Sequence, residues 1–142
     1  MKTLLLSMDD VGRTLSMKEV IEAVKEGYVA FQKGKVQQPD IVSMEMPHNN
    51  GETDIKSCYN ALNESVSVKV ASGFYDNGKE NDLPTMIGLI EIFDGKTGAP
   101  LCVMDGSLIT GIRTGAAGAI SSELLSRKDS KTVAVIGGGG QA

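Results

Sequence analysis

Residues 104–127, MDGSLITGIRTGAAGAISSELLSR, run directly into residues 128–142, KDSKTVAVIGGGGQA. In order they read as a turn at Asp105-Gly106, a small-residue helix, a short apolar strand and a glycine run. Residues 132–136, TVAVI, are expected to form a strand buried on both faces of a parallel sheet, because their apolar run does not alternate. Gly137, Gly139 and Ala142 fit G-x-G-x-x-A, the turn after such a strand that delivers a pyrophosphate to the next helix's N-terminus. That helix, a second strand and the acidic residue expected about 20 positions later are absent from the sequence. The expectation is a domain over 1–127 followed, over 128–142, by the truncated start of a dinucleotide-binding Rossmann domain.

Working outward, the chain reads as α+β: an N-terminal helix, then a mainly antiparallel sheet. Ser16 and Glu19 form an S-x-x-E capping box, and Gly34 stops the helix that follows. Met17, Val20, Ile21, Val24, Tyr28 and Phe31 recur along it at helical spacing and predict its core face. Strands are expected over 3–7, 41–46, 54–62, 65–71, 86–93 and 99–104, with a turn at 48–51, a polar loop over 75–82 and a hairpin connection at 94–98. Alternation over 65–71 puts Val66, Val68 and Val70 on one face and Lys69 on the other, beside Ser65, Ser67 and Ala71. Ser107 is the expected N-cap of a helix over 108–126, whose Gly111, Gly115, Ala116, Ala117, Gly118 and Ala119 allow another backbone to come close.

The chain has 142 residues, enough for one domain with a real core. Its net charge of -4, with both signs interspersed, points to neither nucleic acid nor a membrane as partner. The run Leu4-Leu5-Leu6 is too short for a leader or a span. Cys58 and Cys102 match no disulfide framework or zinc spacing, which predicts buried thiols and a cytoplasmic protein. No metal set is expected, and His48 receives no role.

Lys69, fixed on a small polar strand face, can bind a carboxylate or polarise a carbonyl or imine; otherwise it is a solvated strand lysine. Arg113 lies among small residues that leave a guanidinium free for a carboxylate or phosphate, with a surface ion pair as the alternative. Thr110 and Thr114 can bond a phosphate or nicotinamide, or equally their own helix backbone.

The segment LPTMIGLIEIFDGKTGAPLCVMDGSLITGIRTGAAGAISSELLSR, with VAVIGGGGQA, the QQP stretch and VKVASGFYDN, resembles the ornithine cyclodeaminase/mu-crystallin family. The likeness covers nearly the whole chain, and residues 97–113 are its most specific part. The resemblance implies a substrate and dimerisation domain followed by a Rossmann domain, an NAD cofactor (NADP is the alternative), a small amino-acid substrate and a homodimer or higher homo-oligomer. It makes Lys69 the substrate-contacting, catalytic lysine and Arg113 the carboxylate-binding arginine. Thr85 and Thr110 then lie near the nicotinamide and substrate, and Gly137, Gly139, Gln141 and Ala142 in the dinucleotide turn. The implied activity is NAD-dependent conversion of L-ornithine to L-proline and ammonia; an amino-acid dehydrogenase or ketimine reductase of the same family is the alternative. For the chain alone, the expectation is an inactive dimerisation module. Two positions depart from the family: Ile41 stands where relatives often carry an arginine, and Lys56-Ser57 where they commonly carry Met-Pro. Lys56 is therefore expected to supply part of the missing cation.

Overall fold

A computed structural model describes residues 2–139 and 141. Strand β1 (Leu4–Leu6) leads into helix α1 (Met8–Thr14) and then α2 (Met17–Gln32). Strands β2 (Val36–Gln37), β3 (Val42–Met46), β4 (Gly51–Asn60) and β5 (Ser65–Phe74) follow. A short helix α3 (Asn77–Glu80), strands β6 (Met86–Asp94) and β7 (Pro100–Asp105) and helix α4 (Ser107–Leu125) complete the fold. The seven strands form one sheet in the order β1-β7-β6-β5-β4-β2, with β3 also pairing β4. Every pairing is antiparallel except β1 on β7. The α+β expectation is met.

Local chemistry explains most boundaries. Ser16 caps α2 by accepting from the Glu19 amide, and Gly34 ends the segment in the left-handed region at φ 65°. Helix α1 opens on a second capping box, in which Ser7 and Asp10 bond reciprocally. Helix α4 differs from expectation at its start. Gly106 is the N-cap, the Asp105 carboxylate accepts from the Leu108 amide at 3.0 Å, and the Ser107 hydroxyl accepts from the Gly88 amide at 3.0 Å. The Gly106 amide also donates to the Gly88 carbonyl at 2.8 Å. A Cβ on Gly106 would sit 3.0 Å from the Gly88 carbonyl carbon, so this contact requires glycine. It ties the first turn of α4 to the middle of the sheet.

The helices gather on one sheet face, and the core lies between them and the sheet: Val11, Ala30, Cys102, Ala116 and Ile120 are buried. Helices α2 and α4 run side by side in the same direction, with Met17 against Gly115 and Lys25 bonded to Glu123 at 2.8 Å. That geometry corrects the predicted core stripe. Val20, Ile21 and Val24 are half-buried, whereas Met17, Tyr28 and Phe31 are exposed, the last two because α4 ends at Leu125 before it can cover them.

Two further expectations are corrected. The loop over 75–82 contains α3, whose Asn77 is buried and donates from Nδ2 to the Pro84 carbonyl at 3.1 Å. Residues 132–136 form no strand: Val133 and Val135 are exposed and Ile136 fully so. A parallel strand has no hydrogen bonds of its own, and no described strand lies beside this segment to supply them.

Candidate functional site

Register brings the candidate side chains together. Lys56 of β4 is the Cα partner of Lys69 of β5, and Asp54 is that of Ala71, so all four stand on one face. The helices cover that same face, and between it and the first half of α4 lies a cavity of about 590 Å³. Glu52, Asp54, Lys56, Lys69 and Ala71 form its floor, and Met86, Ile87 and Gly88 extend it along β6. Ser107, Thr110, Gly111 and Arg113 descend from α4, and Gly139 and Gln141 close one side.

The Lys69 ammonium donates to the Thr110 hydroxyl at 2.7 Å, and that hydroxyl donates to the Gly106 carbonyl. Thr110 therefore orients the amine while keeping its own helical bond. Burial pushes the Lys69 pKa below the ordinary lysine value, and the charges of Arg113 and Lys56 push it further in the same direction; Asp54 opposes them. Arg113 follows Thr110 by nearly one helical turn, which puts it on the same side of α4. Among the described residues neither Lys69 nor Arg113 has an ion-pair partner. Lys56, by contrast, bonds Asp54 at 2.8 Å. Asp54 also accepts from the Ser43 hydroxyl at 2.6 Å, and the two contacts hold its carboxyl below the usual range, Lys56 most. Lys69 and Arg113 thus face the cavity as two cations without ion-pair partners among the described residues, with Glu52 and Asp54 on the same wall.

Lys56, Lys69, Thr110, Arg113, Gly139 and Gln141 thus line one cavity. The Thr114 hydroxyl donates to the Thr110 carbonyl at 2.7 Å, off the cavity wall, which is the helix-backbone alternative. Thr85 is exposed and outside the lining; its carbonyl accepts from the Phe74 amide, and its neighbour Met86 reaches the cavity instead. Gly137 adopts φ 103°, a turn conformation suited to glycine, but does not reach the cavity. Ala142 lies outside the described residues. Sequence reasoning missed Glu52, Asp54 and the Gly88–Gly106 contact. The period-two spacing of Glu52, Asp54 and Lys56 carried the signal for the first two, but only the register with β5 aims them at Lys69.

Among the described residues no group of three or more His, Cys, Asp or Glu could hold a metal, and no helix is long and apolar enough to cross a membrane. Both thiols are free: Cys102 is buried, while Cys58 is half-buried with its sulfur 3.1 Å from the Ser67 hydroxyl.

The fold is one sheet with its helices over a cavity that Lys56, Lys69 and Arg113 line. The chain matches the ornithine cyclodeaminase/mu-crystallin family over residues 1–142 and belongs to it. Alanine dehydrogenase of Archaeoglobus fulgidus is 34% identical over all of this chain and 42% of its own length. The solved Δ1-pyrroline-2-carboxylate reductase of Thermococcus litoralis, in complex with NADH and L-proline, is 40% identical with a TM-score of 0.86; the match covers 91% of this chain and 40% of that one. An archaeal alanine dehydrogenase dimer with bound NAD is 33% identical with a TM-score of 0.85, over 92% of this chain and 39% of that one. The chain thus spans about two-fifths of the length of the curated relatives it matches.

Proposed function

We propose that this chain supplies the substrate half of an NAD(P)-dependent enzyme that interconverts an α-amino acid and its imine. The observation that carries the reading is the convergence of Lys69, oriented by Thr110, and Arg113 on one cavity, neither with an ion-pair partner among the described residues. Arg113 offers a planar fork for the substrate carboxylate, and Lys69 a point charge beside it. Held by both, the substrate presents its α-carbon and nitrogen to the side of the cavity where Gly139 and Gln141 lie. Those residues belong to the glycine run, whose G-x-G-x-x-A spacing suits a dinucleotide's pyrophosphate. When bound, the nicotinamide would supply the hydride acceptor or donor. The protein's share is orientation and charge.

The finer reading, conversion of L-ornithine to L-proline and ammonia, requires room for a second ammonium. Lys56 weighs against it, because a cationic side chain reaching across the floor meets that amine. Reduction of a cyclic imino acid, or reversible deamination of an amino acid, fits the wall better. Titration of the protein with NADH and NADPH, followed by nicotinamide fluorescence, tests the cofactor. Following NADH absorbance with Δ1-pyrroline-2-carboxylate, with pyruvate plus ammonia and, in reverse, with L-ornithine and NAD+ tests the substrate. Proline formed from L-ornithine by the whole enzyme with no net change in NADH would restore the cyclodeaminase reading; no turnover of any of the three by the whole enzyme, with no binding of L-proline to this chain, would sink the proposal.

The second sheet face bears on assembly. Ile55, Val66, Val68 and Val70 lie on it, only half-buried, with Leu89 of β6 exposed beside Val70. An apolar sheet face of this size is normally covered. We infer that a second copy covers it, giving a homodimer. Val68→Lys should convert the dimer to monomer in sedimentation velocity. An unchanged sedimentation coefficient would remove this face from the interface.

A further inference from the structure

The lysines of this chain differ in what holds them. Lys25, Lys56 and Lys96 each carry a carboxylate partner, which keeps an ammonium protonated and unreactive. The Lys69 amine instead donates to a neutral group, the Thr110 hydroxyl, at 2.7 Å. Lys69 stands on β5 between β4 and β6, so the backbone beneath it is fixed. The Thr110 hydroxyl gives its own proton to the Gly106 carbonyl and therefore meets the amine with a lone pair, taking one N–H. Ala71, Gly88 and Gly111 line the same cavity, small residues that leave room for a substituent on the nitrogen. Burial first, then the charges of Arg113 and Lys56, favours the neutral, nucleophilic amine, against the pull of Asp54. Arg113 lies nearly one helical turn beyond Thr110 on the cavity wall. A ligand with its carboxylate on Arg113 brings the carbon next to that carboxylate toward Lys69.

We propose that Lys69 forms an imine with a 2-oxo acid whose carboxylate Arg113 holds, a covalent capture separate from hydride transfer. The amine lone pair forms a C–N bond at the ketone carbon while the carbonyl π pair moves to oxygen. That oxygen takes up two protons, and the C–O bond breaks to release it as water. Ammonium and ketone thus give iminium and water, with atoms and charge balanced and no co-reactant. Return of water to the iminium carbon reverses the step. The proposal rests on Arg113 being the carboxylate site.

The test is incubation of the full chain with pyruvate and sodium cyanoborohydride at neutral pH, which reduces the iminium to a stable secondary amine, followed by peptide mapping by mass spectrometry. Lys69 should gain the mass of pyruvic acid less one oxygen atom, about tenfold faster than any other lysine. Acetone, a ketone without a carboxylate, should label it about tenfold more slowly, and Arg113→Ala should slow pyruvate as much, the worth of one charge-assisted hydrogen bond. Lys69→Met should remove the fast site and leave labelling of the exposed lysines as it was. Label spread evenly over the exposed lysines overturns the proposal, and so does equal labelling of Lys69 by pyruvate and acetone. Pyruvate that binds in calorimetry but leaves Lys69 unlabelled overturns it while the carboxylate site stands. Neither binding nor labelling overturns both readings.

Discussion

Arg113→Ala should weaken binding of L-proline by about 10- to 100-fold, because a hydrogen bond to a charged group is worth roughly 1.5–3 kcal/mol and Arg113 offers a bidentate pair. The geometry behind this is specific. Arg113 stands on the cavity side of α4, and no described carboxylate lies within ion-pair reach to compete for it. Its exposure means that little packing is lost on truncation, so the fold should survive. Arg113→Lys should recover only part of the affinity, since an ammonium keeps the charge but not the planar fork. L-prolinamide is the control: without a carboxylate it should bind weakly to the original protein and no worse to the variant. An equal loss for proline and its amide would mean that the arginine supports the cavity's shape instead of reading a carboxylate. No loss for either would remove Arg113 from the site.

Why the sequence revealed the cations yet missed their neighbours follows from the range of the signals. Lys69 sits in an alternating run, and alternation assigns a strand face from local spacing alone. Arg113 stands in a helix among small residues, again a local pattern. The sheet's antiparallel character was legible for the same reason, since short strands alternate with turn residues from residue 36 onward. The role of Asp54 depends on register, which places it beside Lys56 and diagonal to Lys69; no local pattern encodes a pairing between strands. The start of α4 went wrong because a hydroxyl at a helix N-terminus is usually a cap. Here tertiary structure overrides that preference: Gly106 packs on Gly88, Ser107 is drawn to the Gly88 amide, and Asp105 takes over the capping. The segment 132–136 shows the opposite limit. Its composition suits a buried strand, but a strand exists only with partners, and composition does not supply them.

Lys69→Met should raise the thermal stability of the ligand-free protein while weakening carboxylate binding by about tenfold or more. The sign follows from the lowered pKa. Burial first, then Arg113 and Lys56, disfavour the charged amine in the folded protein, whereas in the unfolded chain it titrates near the ordinary 10.5. Between those two values the unfolded chain holds more protons, so stability rises with pH across that window. Below the folded value the penalty is present in full, and methionine removes it while filling nearly the same volume. Melting the original protein and the variant from neutral pH upward should therefore show the variant ahead at neutral pH and the gap closing toward 10.5. Binding has the opposite dependence. A carboxylate requires the protonated amine, so affinity for L-proline should fall as pH rises through the lowered pKa, and should do so at a lower pH than an unperturbed lysine would dictate. In the variant that dependence should vanish. A variant less stable than the original protein at neutral pH would mean that the bond from Lys69 to Thr110 outweighs the repulsion, and the wall would then be stable without an anion. If melting behaves as expected but L-proline affinity keeps its pH profile in Lys69→Met, the titrating group is another one, and Lys69 contributes charge to the cavity without touching the ligand.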